Sequence, residues 1–143
     1  MTDFRRLSDT VFASPQITAD DLSEAKAQGI ALIINNRPDG EETGAPQGAE
    51  IAASASAAGM EYVAIPIDHS GFSPAQVDEM LAALEAARGK VLAYCRSGTR
   101  STFLWALARA KAGDKPQSIV EAAQQAGYDI GPILPHLVRL ASS

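Results

Sequence analysis

The chain of 143 residues has one cysteine, Cys95, and two histidines, His69 and His136. A single thiol excludes an intramolecular disulfide and fits a reducing compartment. His136 has no metal-spaced partner, so a zinc site is not expected. Asp39, Glu41 and Glu42 lack the calcium-loop pattern and read as solvated acids. Neither a metal nor a cofactor is expected. Positive charge is also scarce: 12 Lys and Arg against 17 Asp and Glu leave a net charge of −5, which argues against a protein that tracks nucleic-acid phosphates. No apolar run approaches the length of a membrane span. The opening Met1-Thr2-Asp3-Phe4-Arg5-Arg6 carries no signal-peptide core. Repeats are absent, although residues 52–58 form a low-complexity alanine/serine patch. The length suits one domain, 1–143, and these absences predict a soluble, cytoplasmic protein without nucleic-acid or membrane partners. Oligomeric state is not legible.

What is present alternates. Residues 4–13 give two short extended segments around Ser8-Asp9, read as an edge hairpin. Thr18 caps a helix that carries Asp20 and Asp21 in its first turn and ends at Gly29. Residues 30–35 form a continuous apolar run, hence a buried parallel strand, followed by the polar loop 36–42. A helix from Pro46 to Ala58 leads to a strand over 62–67 and a loop over 68–72. Ser73-Pro74 then opens a helix to Gly89, with Val77, Met80, Leu81 and Leu84 facing inward. Residues 91–94 are a further strand, and three helices follow, to Gly113, over 116–127 and over 132–140. This pattern predicts an α/β fold with a mostly parallel sheet covered on both faces by helices. Loops 36–42, 68–72 and 95–100 leave strands at the carboxyl end, where such sheets build their sites. Strand order stays open.

The third of those loops organises the chain. Cys95-Arg96-Ser97-Gly98-Thr99-Arg100-Ser101 joins a strand to a helix whose Phe103, Leu104, Ala106, Leu107 and Ala110 share one side. At such a turn backbone N–H groups are unpaired and the helix dipole favours an anion. A helix N-terminus with nearby arginines favours the thiolate form of a cysteine. The N–H groups of Arg96, Ser97, Gly98, Thr99 and Arg100 can curl into an anion nest, and Gly98 tolerates the backbone angles that this needs. Arg100 can hold two oxygens through its planar fork, and Ser101 can donate to the sulfur. The plain alternative is a structural thiol in a solvated turn. Arg37 and Glu41 either line the mouth of the crevice or belong to an ordinary charged loop. Phe103 and Trp105 read as packing residues.

The stretch Tyr62-Val63-Ala64-Ile65-Pro66-Ile67-Asp68-His69-Ser70-Gly71-Phe72-Ser73, followed by a helix and the Cys95 loop, resembles the dual-specificity cysteine phosphatases. With Asn36-Arg37-Pro38-Asp39-Gly40-Glu41 included, it resembles more closely the bacterial beta-lactamase-hydrolase-like, phosphatase-like family over residues 4–111. The resemblance implies a cysteine-phosphatase-like domain with Cys95 as nucleophile, Arg100 as oxyanion-binding arginine and Ser101 as the hydroxyl beside the sulfur. Asp68 falls where such phosphatases carry the general acid, although a role in capping the next helix stays open. His69 beside it is either a proton-transfer aid or simply exposed.

Two departures bear on the chemistry. Four residues, not five, separate Cys95 from Arg100, and Tyr94 stands where a histidine usually precedes the cysteine. The short loop resembles that of rhodanese sulfurtransferases, and the family resemblance carries a link to sulfide metabolism. A narrower nest suits a persulfide better than a phosphoryl group, so the expectation favours a sulfurtransferase with a sulfur donor and acceptor. The alternatives are a phosphatase acting on a small anionic substrate through phosphocysteine, and a non-catalytic anion-binding module.

Overall fold

The computed structural model describes residues 2–68 and 70–142, so the reading of His69 lies outside the described residues. Among the described residues, five strands form one sheet in the order β1-β2-β5-β3-β4. They are β1 (Arg5–Arg6), β2 (Val11–Ser14), β3 (Ile30–Asn35), β4 (Glu61–Ala64) and β5 (Lys90–Tyr94). All neighbours pair in parallel except β1 with β2. The helices are α1 (Ala19–Ala27), α2 (Gly48–Ala57), α3 (Pro74–Ala86), α4 (Thr99–Lys111), α5 (Pro116–Gln125) and α6 (Leu134–Ala141). This is the expected helix-covered, mostly parallel sheet.

Alternation along the strands divides the core. Val91 and Ala93 of β5 face one layer with Leu104, Leu107, Ile119 and Leu137, under α3 to α6. Leu92 and Tyr94 face the other with Ile17, Leu22, Ile51 and Ala55, under α1 and α2. A register shift against β5 between Ile30 and Leu32 sends these two residues to opposite layers despite their even spacing. β5 is therefore flanked on both edges and buried on both faces, and Cys95 follows it at the middle of the sheet.

Several boundaries differ from expectation. Only β1 of the N-terminal hairpin is at an edge, because β2 pairs in parallel with β5 along its other side. β4 ends at Ala64, not at residue 67. Ile65 and Ile67 still donate to the carbonyls of Asn35 and Asn36, at 2.9 and 3.0 Å, but Pro66 between them has no N–H to continue the ladder. α2 begins at Gly48, two residues after Pro46, and α3 stops at Ala86, short of Gly89. The last helix is split into a 3-10 turn, Gly131–Ile133, and α6. α3 opens as its sequence predicts: Ser73 Oγ accepts from the Gln76 amide at 3.2 Å, and Gln76 Oε1 accepts from the Ser73 amide at 2.8 Å.

The carboxyl ends of three strands are joined by Asn36, which is 0 % exposed. Its amide donates to the Tyr94 carbonyl at 2.8 Å, and its carbonyl accepts from Ile67. Its side chain donates through Nδ2 to the Ile65 carbonyl at 2.9 Å and accepts at Oδ1 from the Ser101 hydroxyl at 2.8 Å. An Asn36→Ala substitution keeps the backbone bonds but strips partners from a carbonyl and a buried hydroxyl. Unsatisfied buried groups cost about 1–3 kcal/mol each, so urea unfolding should show a stability loss of about 2–6 kcal/mol with an unchanged m value.

Candidate active site

Cys95 sits at the floor of the site with 0 % exposure, its amide bonded to the Ser14 carbonyl at 3.3 Å. The loop beyond it turns through Gly98, whose φ of +92° places it in the left-handed region before α4 begins. That conformation directs the Gly98 N–H onto Cys95 Sγ at 3.1 Å. The Thr99 amide, a second expected nest donor, goes instead to Ser97 Oγ at 3.3 Å, and Ser97 in turn donates to Thr99 Oγ1 at 2.9 Å. Arg96 is exposed at the side of the loop, its carbonyl accepting from the Gln16 amide at 3.2 Å.

Arg100, in the first turn of α4, reaches across the crevice. Its Nη1 donates to Glu41 Oε2 and to the Ile67 carbonyl, both at 2.7 Å, and its Nη2 donates to Glu41 Oε1 at 2.9 Å. A guanidinium has five N–H groups. These three bonds take both protons of Nη1 and one of Nη2. The Nε–H and the second Nη2–H remain, and they lie parallel on one edge of the planar group. This edge is the fork that can grip two oxygens of an anion. The Glu41 bond holds the Arg100 guanidinium above its ordinary pKa; burial opposes this and the nearby Cys95 sulfur adds to it. Reciprocally, the Arg100 bond holds the Glu41 carboxyl below its usual range, against burial and with help from Arg37.

Arg37, read as a substrate-binding candidate, is engaged by protein partners. It is 7 % exposed, and its Nε donates to Glu41 Oε1 at 3.0 Å while Nη1 donates to Gln16 Oε1 at 2.9 Å. Nη2 lies 3.5 Å from Glu42 Oε2, an ionic contact without a hydrogen bond. Arg37 is thus a strut under Glu41, placed by the end of β3. Ser101 also departs from expectation. Its hydroxyl proton goes to Asn36, whose Oδ1 would otherwise be buried without a donor, and not to the sulfur. Asp68 follows the Ile67 carbonyl that Arg100 grips. Its Oδ1 accepts from the Ser70 amide at 2.9 Å and the Ser70 hydroxyl at 2.5 Å, so it shapes its own loop while facing solvent. Tyr94, where a histidine was expected, is buried with an unbonded hydroxyl, and burial pushes its pKa far up.

The site therefore gathers Cys95, Gly98, Arg100 and the Ile67 carbonyl, with Glu41, which sequence reasoning left between the crevice mouth and an ordinary loop, as the partner of Arg100. Residues 3–112 match the family described as "Beta-lactamase hydrolase-like protein, phosphatase-like domain". The chain belongs to that family. A beta-lactamase hydrolase-like protein of Agrobacterium fabrum is 35% identical over 122 residues, which are 85% of this chain and 28% of the relative. One from Xylella fastidiosa is 32% identical over 136 residues, covering 94% and 32%. The chain thus spans a third or less of the length of these curated relatives. Among solved structures, a candidate phosphatase of Neisseria meningitidis is 31% identical with a TM-score of 0.86, covering 98% of this chain and 99% of that one. Tk-PTP in its active form has a TM-score of 0.76 at 19% identity over 98% and 97% of the two chains. TpbA of P. aeruginosa, solved with pTyr, has 0.67 at 19% over 99% and 92%. The fold of the family is thus that of the cysteine phosphatases. The expected preference for sulfur transfer gains no support from these relatives.

The Glu41–Arg100 pair makes a pH prediction. A carboxyl held below its unfolded pKa stabilises the fold above that pKa, and the contribution disappears as pH falls through the folded value. Glu41→Gln should therefore be less stable than the unmutated protein at pH 7, with the gap closing below about pH 4. Thermal unfolding of both proteins across pH 3–7 checks this, and a gap that persists unchanged at pH 3 contradicts it.

Proposed function

We propose that the protein is a cysteine-dependent phosphatase of the dual-specificity type, acting on phosphate monoesters. The observation that carries this reading is Arg100, held by Glu41 and the Ile67 carbonyl with two parallel N–H groups left over beside the Cys95 loop. Two equatorial oxygens of a phosphoryl group fit that fork. In the first step the Cys95 thiolate attacks phosphorus, the S–P bond forms and the P–O ester bond breaks. Asp68 gives its proton to the departing oxygen. In the second step water attacks phosphorus and returns a proton to Asp68. The S–P bond then breaks, and inorganic phosphate leaves with the thiolate restored. The Gly98 N–H, already on the sulfur, stabilises the thiolate before and after. The pTyr bound to TpbA makes an aryl phosphate the natural first probe.

Sulfur transfer remains the second reading on one observation, the four residues between Cys95 and Arg100. Mass spectrometry of Cys95 separates the two. A phosphoryl adduct trapped from an aryl phosphate supports hydrolysis. An added sulfur after thiosulfate, with no phosphoryl adduct, overturns the phosphatase reading. In a phosphatase, Asp68→Asn should lower kcat for an alkyl phosphate by about 10²–10⁴-fold and flatten one limb of the pH–rate profile. Arg100→Lys should weaken inhibition by inorganic phosphate, since a point charge lacks the bidentate fork. Equal inhibition of both proteins would place the anion elsewhere.

A further inference from the structure

Tyr128 lies in the connection after α5, beyond the residues 3–112 that match the family. It is buried among the core residues of the α3–α6 layer, and its hydroxyl donates to the Ser97 carbonyl at 3.1 Å. Arg5 of β1 lies over the ring, its guanidinium carbon 5.1 Å from the centroid. A Cβ on Gly98 would stand 2.1 Å from the Tyr128 hydroxyl, so ring and loop are in direct contact. The Ser97 carbonyl and the Gly98 amide belong to one planar peptide and point in opposite directions. The carbonyl is bonded to Tyr128 on the outside of the loop, and the N–H is bonded to Cys95 Sγ on the inside.

We infer that Tyr128 is a positioning residue for Cys95: by holding the Ser97 carbonyl it fixes the peptide plane whose N–H bonds the sulfur. A glycine with positive φ is the place where such a plane can flip, because no Cβ opposes the rotation. With the carbonyl held outward, the flipped state, which would aim an oxygen at the thiolate, is disfavoured. The inference deepens the phosphatase reading, in which the sulfur is nucleophile and then leaving group.

The groups around the sulfur leave this effect readable. Arg100 faces it from α4, with Glu41 from the β3 loop behind, and Tyr128 from beyond α5. The Ser14 carbonyl of β2 holds the Cys95 amide. Arg100 is held protonated and Glu41 ionised, while burial raises the Tyr128 pKa, so none of the three changes charge between pH 6 and pH 9.

The test is the ratio of Cys95 alkylation rates by iodoacetamide at pH 6 and pH 9 in the full chain. Taking a ratio cancels the opening step that a fully buried thiol requires. Tyr128→Phe keeps the ring and should lower the ratio about three- to ten-fold, the loss expected for one hydrogen bond to a charged sulfur. Arg5→Met removes the cation over the ring but leaves the hydroxyl, and should hold the ratio within two-fold. An unchanged ratio in Tyr128→Phe, or an equal fall in both variants, overturns the inference. Hydrogen exchange of the Gly98 amide in the unmutated protein is an independent measurement. Protection is expected, and exchange at the rate of an unstructured peptide also overturns it. Neither measurement needs turnover, so a protein without phosphatase activity whose ratio still falls in Tyr128→Phe would sink the functional reading and leave the positioning role intact.

Discussion

Asn36 holds the end of β3 to the end of β5 with its amide, to the chain after β4 with its carbonyl and Nδ2, and to α4 with its Oδ1. A polar side chain so completely shut away from water holds these strand ends in place, because each bond lost costs the desolvation of the group left behind. The sheet alone sets which strands are neighbours. Asn36 sets how far apart their trailing loops begin. Glu41, five residues further along, and Ile67, whose amide Asn36 holds, both meet Arg100, so the position of the arginine is inherited from a bond made below it.

The second layer of control is electrostatic and partly exposed. Glu41 has a side-chain exposure of 29%, and its carboxylate is shared between Arg37 beneath and Arg100 in front. The buried arginine supplies the rigidity. Its Nη1 is tied to Gln16, outside the loop. Glu41 therefore has one buried partner, Arg37, and one partner, Arg100, that is also held by the Ile67 carbonyl. A bidentate carboxylate on the outer end of a guanidinium leaves the inner edge open.

Much of this arrangement could be read in advance, and the parts that could not share a cause. The run 91–94, the glycine three residues after the only cysteine and the arginine beyond it are local signals, and each meets its structural counterpart. Ser73 with Gln76 is another local signal. Glu41 pairs with a residue 59 positions away, and Asn36 with one 65 away, so nothing in their own neighbourhoods marks them. Asn36 also competes for the hydroxyl that local spacing would give to the sulfur, and a buried amide without a donor wins that competition. The partners of Arg37 were hidden for a related reason. A charged residue after a strand suggests a crevice wall, and only the packed structure reveals that its charge is turned inward.

The family match ends at residue 112, but the packing does not. Ile119 and Ala123 of α5, Ile130 and Ile133 at the 3-10 turn, and Leu137 of α6 lie in the same layer as Leu104 and Leu107, and they cover the face of α4 that the sheet does not. A boundary drawn at the end of the family match would cut through this layer and strip the helix that carries Arg100 down to one covered side. Grafting the matched stretch alone onto another protein would transplant the reactive loop without its roof.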